Sequence, residues 1–273
     1  MAKKALNEMS FLDHLEELRW LLVRSSAAIV IMGIVSYFFA DYIFSDLIFG
    51  PTDPSFITYR FFCEASHYLG FADSICITEL NFIIQNTQME GQVNIFFWVC
   101  ITAGFILAFP YILWELWKFI SPALYKKEKK NAKLFIFVAS ILFFFGVLFG
   151  YFVIVPMSVN FLATFSISSV VKNQFSIDSY VSMVKTAVIA CGLYFELPII
   201  IYFLTKLGLV GPNFLRKYRK YAVVIILIIA AIVTPPDVVS QITVAVPMMI
   251  IYEGCIWISA VVEKNKKKDE QTS

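Results

Sequence analysis

The chain has 273 residues, of which 59% are hydrophobic, 17% aromatic and only 15% charged, with a formal net charge of +2. A soluble domain carries about 25% charged residues, so the polar side chains of this chain are too few to cover a water-soluble particle. The composition excludes a soluble enzyme and indicates an all-α, polytopic membrane protein.

Six apolar stretches predict six transmembrane helices. They cover residues 20–44, 93–117, 134–156, 180–205, 222–235 and 239–258. We expect the last two helices to be short, because residues 222–235 give a helix of about 21 Å against a hydrocarbon core of about 30 Å, and Glu253 interrupts the sixth stretch. An even number of spans places both termini on one side of the membrane.

The distribution of the 22 basic residues identifies that side. In a six-helix topology, nearly all of them fall at the two termini and in the second and fourth connections. Only Arg60, Lys172 and Lys185 lie on the opposite side. By the positive-inside rule, both termini are therefore cytosolic.

Polar segments flank one membrane domain. Residues 1–19 form an amphipathic cytosolic segment, residues 20–262 form the membrane domain with a long outer loop at 41–91, and residues 263–273 form a charged cytosolic tail. We expect the tail to be disordered, because it has no apolar residues to bury.

Two of the five cysteines lie in the outer loop. Cys63 and Cys76 are on the oxidising side of the membrane, so a disulfide between them and a pair of free thiols are both compatible with the sequence. The other three, Cys100, Cys191 and Cys255, lie in apolar stretches and are expected to be buried packing residues.

The sequence lacks the residue clusters of an enzyme. Its two histidines, His14 and His67, lie on opposite sides of the predicted membrane, and no glycine-rich phosphate loop or metal-ligand cluster is present in the sequence. We therefore predict no catalytic site, no bound metal and no cofactor, and we expect no nucleic-acid partner.

Glu196 is the deepest charged residue of the predicted spans, ten residues before Lys206 at the inner end. Charges inside a membrane are costly and mark functional positions. The nearest cation, Lys185, lies about 16 Å away along the same helix, too far to pair directly. Two interpretations stay open: a neutral carboxylic acid hydrogen-bonded within the bundle, or a group that faces a water-filled concavity or a partner.

Two more polar residues lie at membrane depth. Thr234 and Gln241 flank the Pro235–Pro236 turn between the last two spans. They are compatible with a role at the helix ends or with hydrogen bonds to another membrane helix.

Two acids stand among basic residues on the cytosolic side. Glu17 lies in the amphipathic run His14–Arg19, and Glu128 lies within Lys126–Lys130. From these surroundings alone, both acids are compatible with ordinary surface ion pairs.

Several stretches occur in the order and spacing typical of one family. They are His14–Arg19; Phe109–Pro110; Trp117–Tyr125, followed by Glu128; Phe195–Pro198; Leu215–Tyr221; Thr234–Asp237; Ser240–Gln241; Pro247; and Tyr252–Glu253. Together they resemble TatC, the multi-span subunit of the twin-arginine protein translocase, over nearly the whole chain except the outer loop and the tail.

The resemblance implies a cup-shaped bundle in the bacterial cytoplasmic (inner) membrane that acts as a receptor for folded proteins bearing twin-arginine signal peptides. Glu17 and Glu128 would hold the two guanidinium groups, with Arg19, Phe119 and Leu124 at the adjacent surface. Carboxylates suit this role because the planar fork of arginine forms bidentate pairs with them.

The resemblance also implies partners. Single-span proteins of the TatA/TatB type would dock at Thr234, Gln241 and Glu253, and further copies of the chain would form an oligomer. Glu196 would face the concave interior of the bundle, and the proton gradient would supply the energy.

The chain departs from the family pattern at several positions. Leu21 stands where a second arginine is usual, and Arg24 follows later; Glu115 stands where glutamine is common; Ala123 replaces a frequent glycine. The outer loop is longer than usual.

Two other functions are compatible with a membrane protein of this kind. One is a proton-coupled small-molecule transporter that uses Glu196, although residues 20–156 and 180–258 show no convincing internal repeat of the sort found in transporters. The other is an assembly subunit without a recognition role, in which Glu17 and Glu128 would be replaceable.

Overall fold

The computed structural model describes residues 11–68, 76, 80, 82–121, 132–168, 172–234 and 238–271. The helices in this part of the chain are α1 (Phe11–Phe38), α2 (Ile57–Tyr68), α3 (Gly91–Ile120), α4 (Ala132–Phe149), α5 (Val155–Thr164), α6 (Ile177–Tyr194), α7 (Leu197–Lys206), α8 (Pro212–Lys217), α9 (Arg219–Val233) and α10 (Val238–Gln271). Shorter helical pieces are Ala40–Tyr42, the π-helices Ile43–Ile48 and Gly150–Ile154, and the 3₁₀ turn Gly50–Thr52. Strands β1 (Ile83–Gln85) and β2 (Gln174–Ser176) pair in parallel, with Ile83 opposite Gln174.

Five helical stretches among the described residues are long and apolar enough to cross a membrane. They are His14–Phe38, Gly91–Ile120, Lys133–Thr164, Ile177–Lys206 and Gln241–Lys266. Each of them contains one of the predicted apolar stretches or most of it, and α9 occupies the remaining one with 15 residues, a length of about 22 Å. The prediction of an all-α, polytopic membrane fold is confirmed.

The last helix corrects one part of that prediction. We expected both final helices to be short, but α10 has 34 residues and only α9 is short. Glu253 lies within this helix, and its carboxylate accepts a hydrogen bond of 2.7 Å from Arg219 at the start of α9. The charge that interrupts the apolar stretch in the sequence is thus paired in the structure.

The segment after residue 262 also differs from expectation. Residues 263–271, which we expected to be disordered, continue α10 as helix. Glutamate and lysine have good helix propensity, and extending a helix that is already formed avoids the cost of nucleation. Composition alone therefore underestimated the helix content of this segment.

The helices group into two compact units. The first unit comprises Met1–Phe44 and Val93–Leu142, and its main feature is the antiparallel pair α1–α3. The rings of His14 and Phe119 stack at one end of this pair, with centroids 4.4 Å apart, and those of Tyr37 and Phe96 meet edge to face at the other, at 5.5 Å. Aromatic contacts therefore fix the register of the two helices at both ends.

The second unit comprises Ser45–Gln92 and Phe143–Ser273. Gly146 lets α4 lie directly on α6, because a Cβ atom at this position would lie 2.6 Å from the carbonyl oxygen of Cys191. Buried hydroxyl groups attach α10 to its neighbours: Tyr194 donates to the carbonyl of Met248 at 3.0 Å, and Thr205 donates to Ser259 at 2.9 Å. The core of this unit thus combines close helix packing with a few hydrogen bonds.

Hydrogen bonds also hold part of the long loop against the membrane helices of the second unit. Pro156 has no N–H to offer the carbonyl of Phe152 four residues earlier, and Thr58 donates its hydroxyl to that carbonyl at 2.7 Å. Tyr59 donates to the carbonyl of Pro51 at 2.8 Å, and burial raises the pKa of this tyrosine above its usual range. Its hydroxyl therefore remains a donor at any physiological pH.

Candidate functional site

The end of the α1–α3 pair that carries the N-terminal part of α1 holds the described members of the predicted signal-peptide site. Glu17 and Arg19 are exposed on α1, and half-buried Phe119 lies near the end of α3. The stack of His14 on Phe119 joins the two helices at this point, and Glu17 follows His14 by three residues, within one turn of α1. The predicted residues Leu124 and Glu128 lie outside the described residues.

Glu17 is an acid that the surrounding residues leave accessible. It is exposed, and it forms no ion pair with any residue in the described part of the chain. The preceding residue, Glu16, is exposed as well. It lies on a different side of the helix, because successive residues are rotated by about 100°. An exposed carboxylate beside an aromatic stack can accept a cationic, planar group from solution.

A second acid at this end of the pair is fully occupied. Glu115 of α3 is only 3% exposed and receives two charge-assisted hydrogen bonds: Arg24 Nη1 of α1 lies 3.0 Å from its Oε2, and Lys118 Nζ lies 2.6 Å from its Oε1. Lys118 Nζ also lies 5.6 Å from the centre of the Trp114 ring. The Arg24 bond to Oε2 joins α1 to α3, whereas the Lys118 bond to Oε1 lies within α3.

Sequence reasoning missed this cluster. Arg24 and Glu115 stood out only as separate departures from a family pattern, 91 positions apart. The available signal was Glu115 itself, because an acid at the edge of an apolar span needs a cation nearby. Sequence alone could not say which cation provides it.

Glu196 occupies the break between α6 and α7. Its side chain is buried, with 6% exposure, and its Oε1 has no hydrogen-bond partner among the described residues. Its backbone carbonyl accepts hydrogen bonds from the amides of Ile199 and Ile200. The main chain of Glu196, and not its side chain, therefore caps the first turn of α7. A buried carboxyl oxygen without a partner is rare in native structures, and such a group calls for a functional or structural explanation.

The predicted docking residues make contacts within the chain. Thr234, the residue after α9, donates its hydroxyl to the carbonyl of Ala230 in the last turn of that helix at 2.9 Å. Gln241 Nε2 donates to the carbonyl of Leu227 at 3.1 Å and so attaches α10 to α9. With the Arg219–Glu253 pair, α9 and α10 are linked by polar contacts at two levels.

Cys63 and Cys76 form a disulfide, with Cα atoms 4.5 Å apart. His67 Nε2 lies 3.9 Å from Cys76 Sγ, so two sulfurs and one imidazole nitrogen are close together. While the disulfide is intact, neither sulfur is a thiolate that could bind a metal ion. The pair links α2 to the segment that follows it.

Comparison with known proteins gives a consistent result. The family model described as Sec-independent protein translocase protein (TatC) matches residues 13–247. The Sec-independent protein translocase protein TatC of Blattabacterium is 44% identical over 97% of this chain and 100% of its own length, and TatCy of Bacillus subtilis is 33% identical over 98% and 95%. A crystal structure titled as the twin arginine translocase receptor TatC superposes with a TM-score of 0.71 at 31% identity, covering 91% of this chain and 99% of the other.

Proposed function

Because this chain belongs to the TatC family of Sec-independent protein translocase proteins, we propose that it is the receptor subunit that recognises twin-arginine signal peptides. Family membership makes the chain a component of a protein translocase in a membrane, and not an enzyme. The proton-coupled small-molecule transporter considered from the sequence is not favoured.

The observation that carries the proposal is the contrast between the two acids at one end of the α1–α3 pair. Both oxygens of Glu115 are taken by Arg24 and Lys118, whereas Glu17 is exposed and has no ion-pair partner in the described part of the chain. A signal-peptide guanidinium that arrives here meets an accessible carboxylate in Glu17. The planar guanidinium can form two parallel hydrogen bonds with it, and a lysine ammonium cannot.

In this proposal Glu128 supplies the second carboxylate, for the second arginine of the signal peptide. Phe119 and Leu124 provide the apolar surface beside the two acids, and Arg19 limits the approach of other cations. The basic residues on this side of the sequence would repel generic cationic peptides that lack a matching geometry.

The proposed location is a bacterial cytoplasmic membrane, with both termini in the cytosol. The strong bias of basic residues toward one side of the six-helix topology supports this orientation. Recognition then takes place in the cytosol, where folded cargo proteins are made, and the proton gradient across the membrane drives their export.

We also propose that single-span partners of the TatA/TatB type dock along α9 and α10, and that several copies of the chain assemble in one complex. The short α9 leaves a region of the membrane that a partner helix can cover. Gln241 uses its amide nitrogen within the chain, and its carbonyl oxygen remains an acceptor for a donor from a partner. Thr234 directly follows α9, and Glu253 lies on α10.

The test of recognition is direct binding. The purified chain is titrated with a fluorescent twin-arginine signal peptide and with the same peptide carrying two lysines. We expect about tenfold tighter binding of the twin-arginine peptide, a difference of about 1.4 kcal/mol, and loss of that difference in Glu17→Gln or Glu128→Gln.

The matched control is Glu16→Gln, which removes the same charge from the neighbouring exposed position and should leave the discrimination intact. Equal binding of both peptides to the unmodified chain, or full discrimination in Glu17→Gln, would contradict the proposal. Loss of discrimination in Glu16→Gln as well would point to general charge attraction instead of a defined site.

A further inference from the structure

A buried acid of α3 meets a cation of α1. Arg24 and Glu115 pair across α1 and α3, and Lys118 completes the cluster. We propose that these three residues form a positioning clamp that holds Glu17 in place for signal-peptide recognition. The inference rests on the proposed function of Glu17, and it assigns the three residues no direct contact with the peptide.

The clamp is strong because its central acid is buried. The carboxylate of Glu115 is almost inaccessible, while the side chains of Arg24 and Lys118 are each 49% exposed. An exposed ion pair contributes little to stability, but removing Arg24 would leave the buried carboxylate of Glu115 with Lys118 alone, and that pair lies within α3. The cluster therefore resists separation of α1 from the end of α3.

The position of Glu17 relative to the clamp gives it a role. On α1, Arg24 follows Glu17 by seven residues, two helical turns, so the two Cβ atoms lie on nearly the same side of the helix. His14 precedes Glu17 by three residues and stacks on Phe119. Glu17 thus lies between two contacts that α1 makes with α3, one aromatic and one ionic, and both hold the stretch of helix that carries Glu17.

The α3 side shows the same arrangement. Glu115 precedes Phe119 by four residues, so both side chains lie on one face of α3. The clamp at Glu115 therefore fixes the face of α3 that presents Phe119 to His14. A change at Glu115 is transmitted to the recognition surface through one helical turn.

Saturation of Glu115 also affects specificity. A buried acid with a free oxygen close to the recognition site would compete with Glu17 for a guanidinium group. Each oxygen of Glu115 already accepts one charge-assisted hydrogen bond, and burial keeps the remaining lone pairs from the peptide. Arg24 and Glu115 thus compensate each other: each would be a liability alone, and together they are neutral toward the peptide.

The experiment is a double-mutant cycle with two independent measurements. The variants are Arg24→Gln, Glu115→Gln and the double variant, with Arg24→Lys as the conservative rescue and Lys133→Gln, an exposed position on α4, as the control. The first measurement is the affinity ratio for twin-arginine over twin-lysine peptide. The second is disulfide cross-linking between cysteines introduced as His14→Cys and Phe119→Cys. These changes remove the ring stack, so the yield reports, without any peptide, how well the ionic contact alone holds α1 against α3.

We expect each single variant to reduce the affinity ratio by about fivefold, in the range of typical couplings between sites, and to reduce the cross-linking yield in parallel. The double variant should lose no more than the worse single variant, because both changes remove the same interaction. Arg24→Lys should retain most of both signals, and Lys133→Gln should match the unmodified chain.

Additive losses in the double variant, or unchanged cross-linking in both single variants, would overturn the clamp. An unmodified chain that does not discriminate between the peptides would overturn the proposed recognition function, and the cross-linking cycle would still decide whether the clamp exists. Thermal unfolding of each variant identifies a general loss of folding. Such a loss would lower the cross-linking yield of Arg24→Lys as well, and that result would count against a specific positioning role.

Discussion

The close approach of α1 and α3 at Gly33 and Gly104 makes the helix pair sensitive to a single methyl group. A Cβ atom on Gly104 would lie 2.6 Å from both the amide nitrogen of Gly33 and the carbonyl oxygen of Ile29. Ordinary contacts of a Cβ atom begin at 3.4 Å, so Gly104→Ala requires the helices to separate by about 0.8 Å. Backbone atoms cannot rotate away as a side chain can, and overpacking of this kind costs about 1–3 kcal/mol.

Unfolding of the chain in detergent micelles, followed by thermal denaturation or by steric trapping, measures this cost. The matched controls are two other glycine-to-alanine changes. Gly33→Ala places its Cβ at 3.4 Å from the carbonyl of Cys100, and Gly254→Ala on α10 meets nothing within 4 Å. Alanine favours a helix over glycine by about 1 kcal/mol, so we expect these two variants to be as stable as the unmodified chain or more stable. Gly104→Ala gains the same propensity but bears the cost of overpacking, and we expect it to be the least stable of the three. Equal stability of all three variants would refute the argument from close packing.

Two further predictions concern polar groups in the second unit. Glu196→Ala should leave signal-peptide binding intact and slow export, because the buried carboxyl oxygen without a partner has no role in the described fold; an unchanged export rate would make Glu196 a structural residue. Gln241→Leu removes the hydrogen bond to the carbonyl of Leu227 and should reduce co-purification of a single-span partner. Undiminished co-purification would contradict a docking role for Gln241.

The positions of the membrane helices could be predicted from the sequence because apolar length is a local property. Their ends could not, and Glu253 shows why. A charge within an apolar stretch is costly, so the sequence places the end of the last short span there. The cation that removes the cost is Arg219, 34 residues away on α9. Pairing across two helices is not visible in either stretch taken alone.

The recognition site shows the same division. Glu17, Arg19 and Phe119 could be singled out from motifs, since each belongs to a short run of characteristic residues. The cluster around Glu115 joins residues 91 positions apart, and it depends on the register of α1 against α3. That register is set by contacts such as the His14–Phe119 stack, which exist only once the two helices have packed.

Two acids, Glu115 and Glu196, are buried in the described part of the chain. Glu115 and Glu196 are nearly equal in exposure, at 3% and 6%, yet Glu115 has both oxygens hydrogen-bonded and Glu196 leaves Oε1 without a partner among the described residues. Burying a polar oxygen without a hydrogen bond costs about 1–3 kcal/mol. An apolar side chain at this helix break would avoid that cost. We therefore expect a hydrogen-bond donor to reach the carboxyl group of Glu196 in another state of the protein. Glu115 therefore stabilises the arrangement seen here, whereas Glu196 is expected to gain its partner during transport, which is why its replacement should slow export without affecting binding.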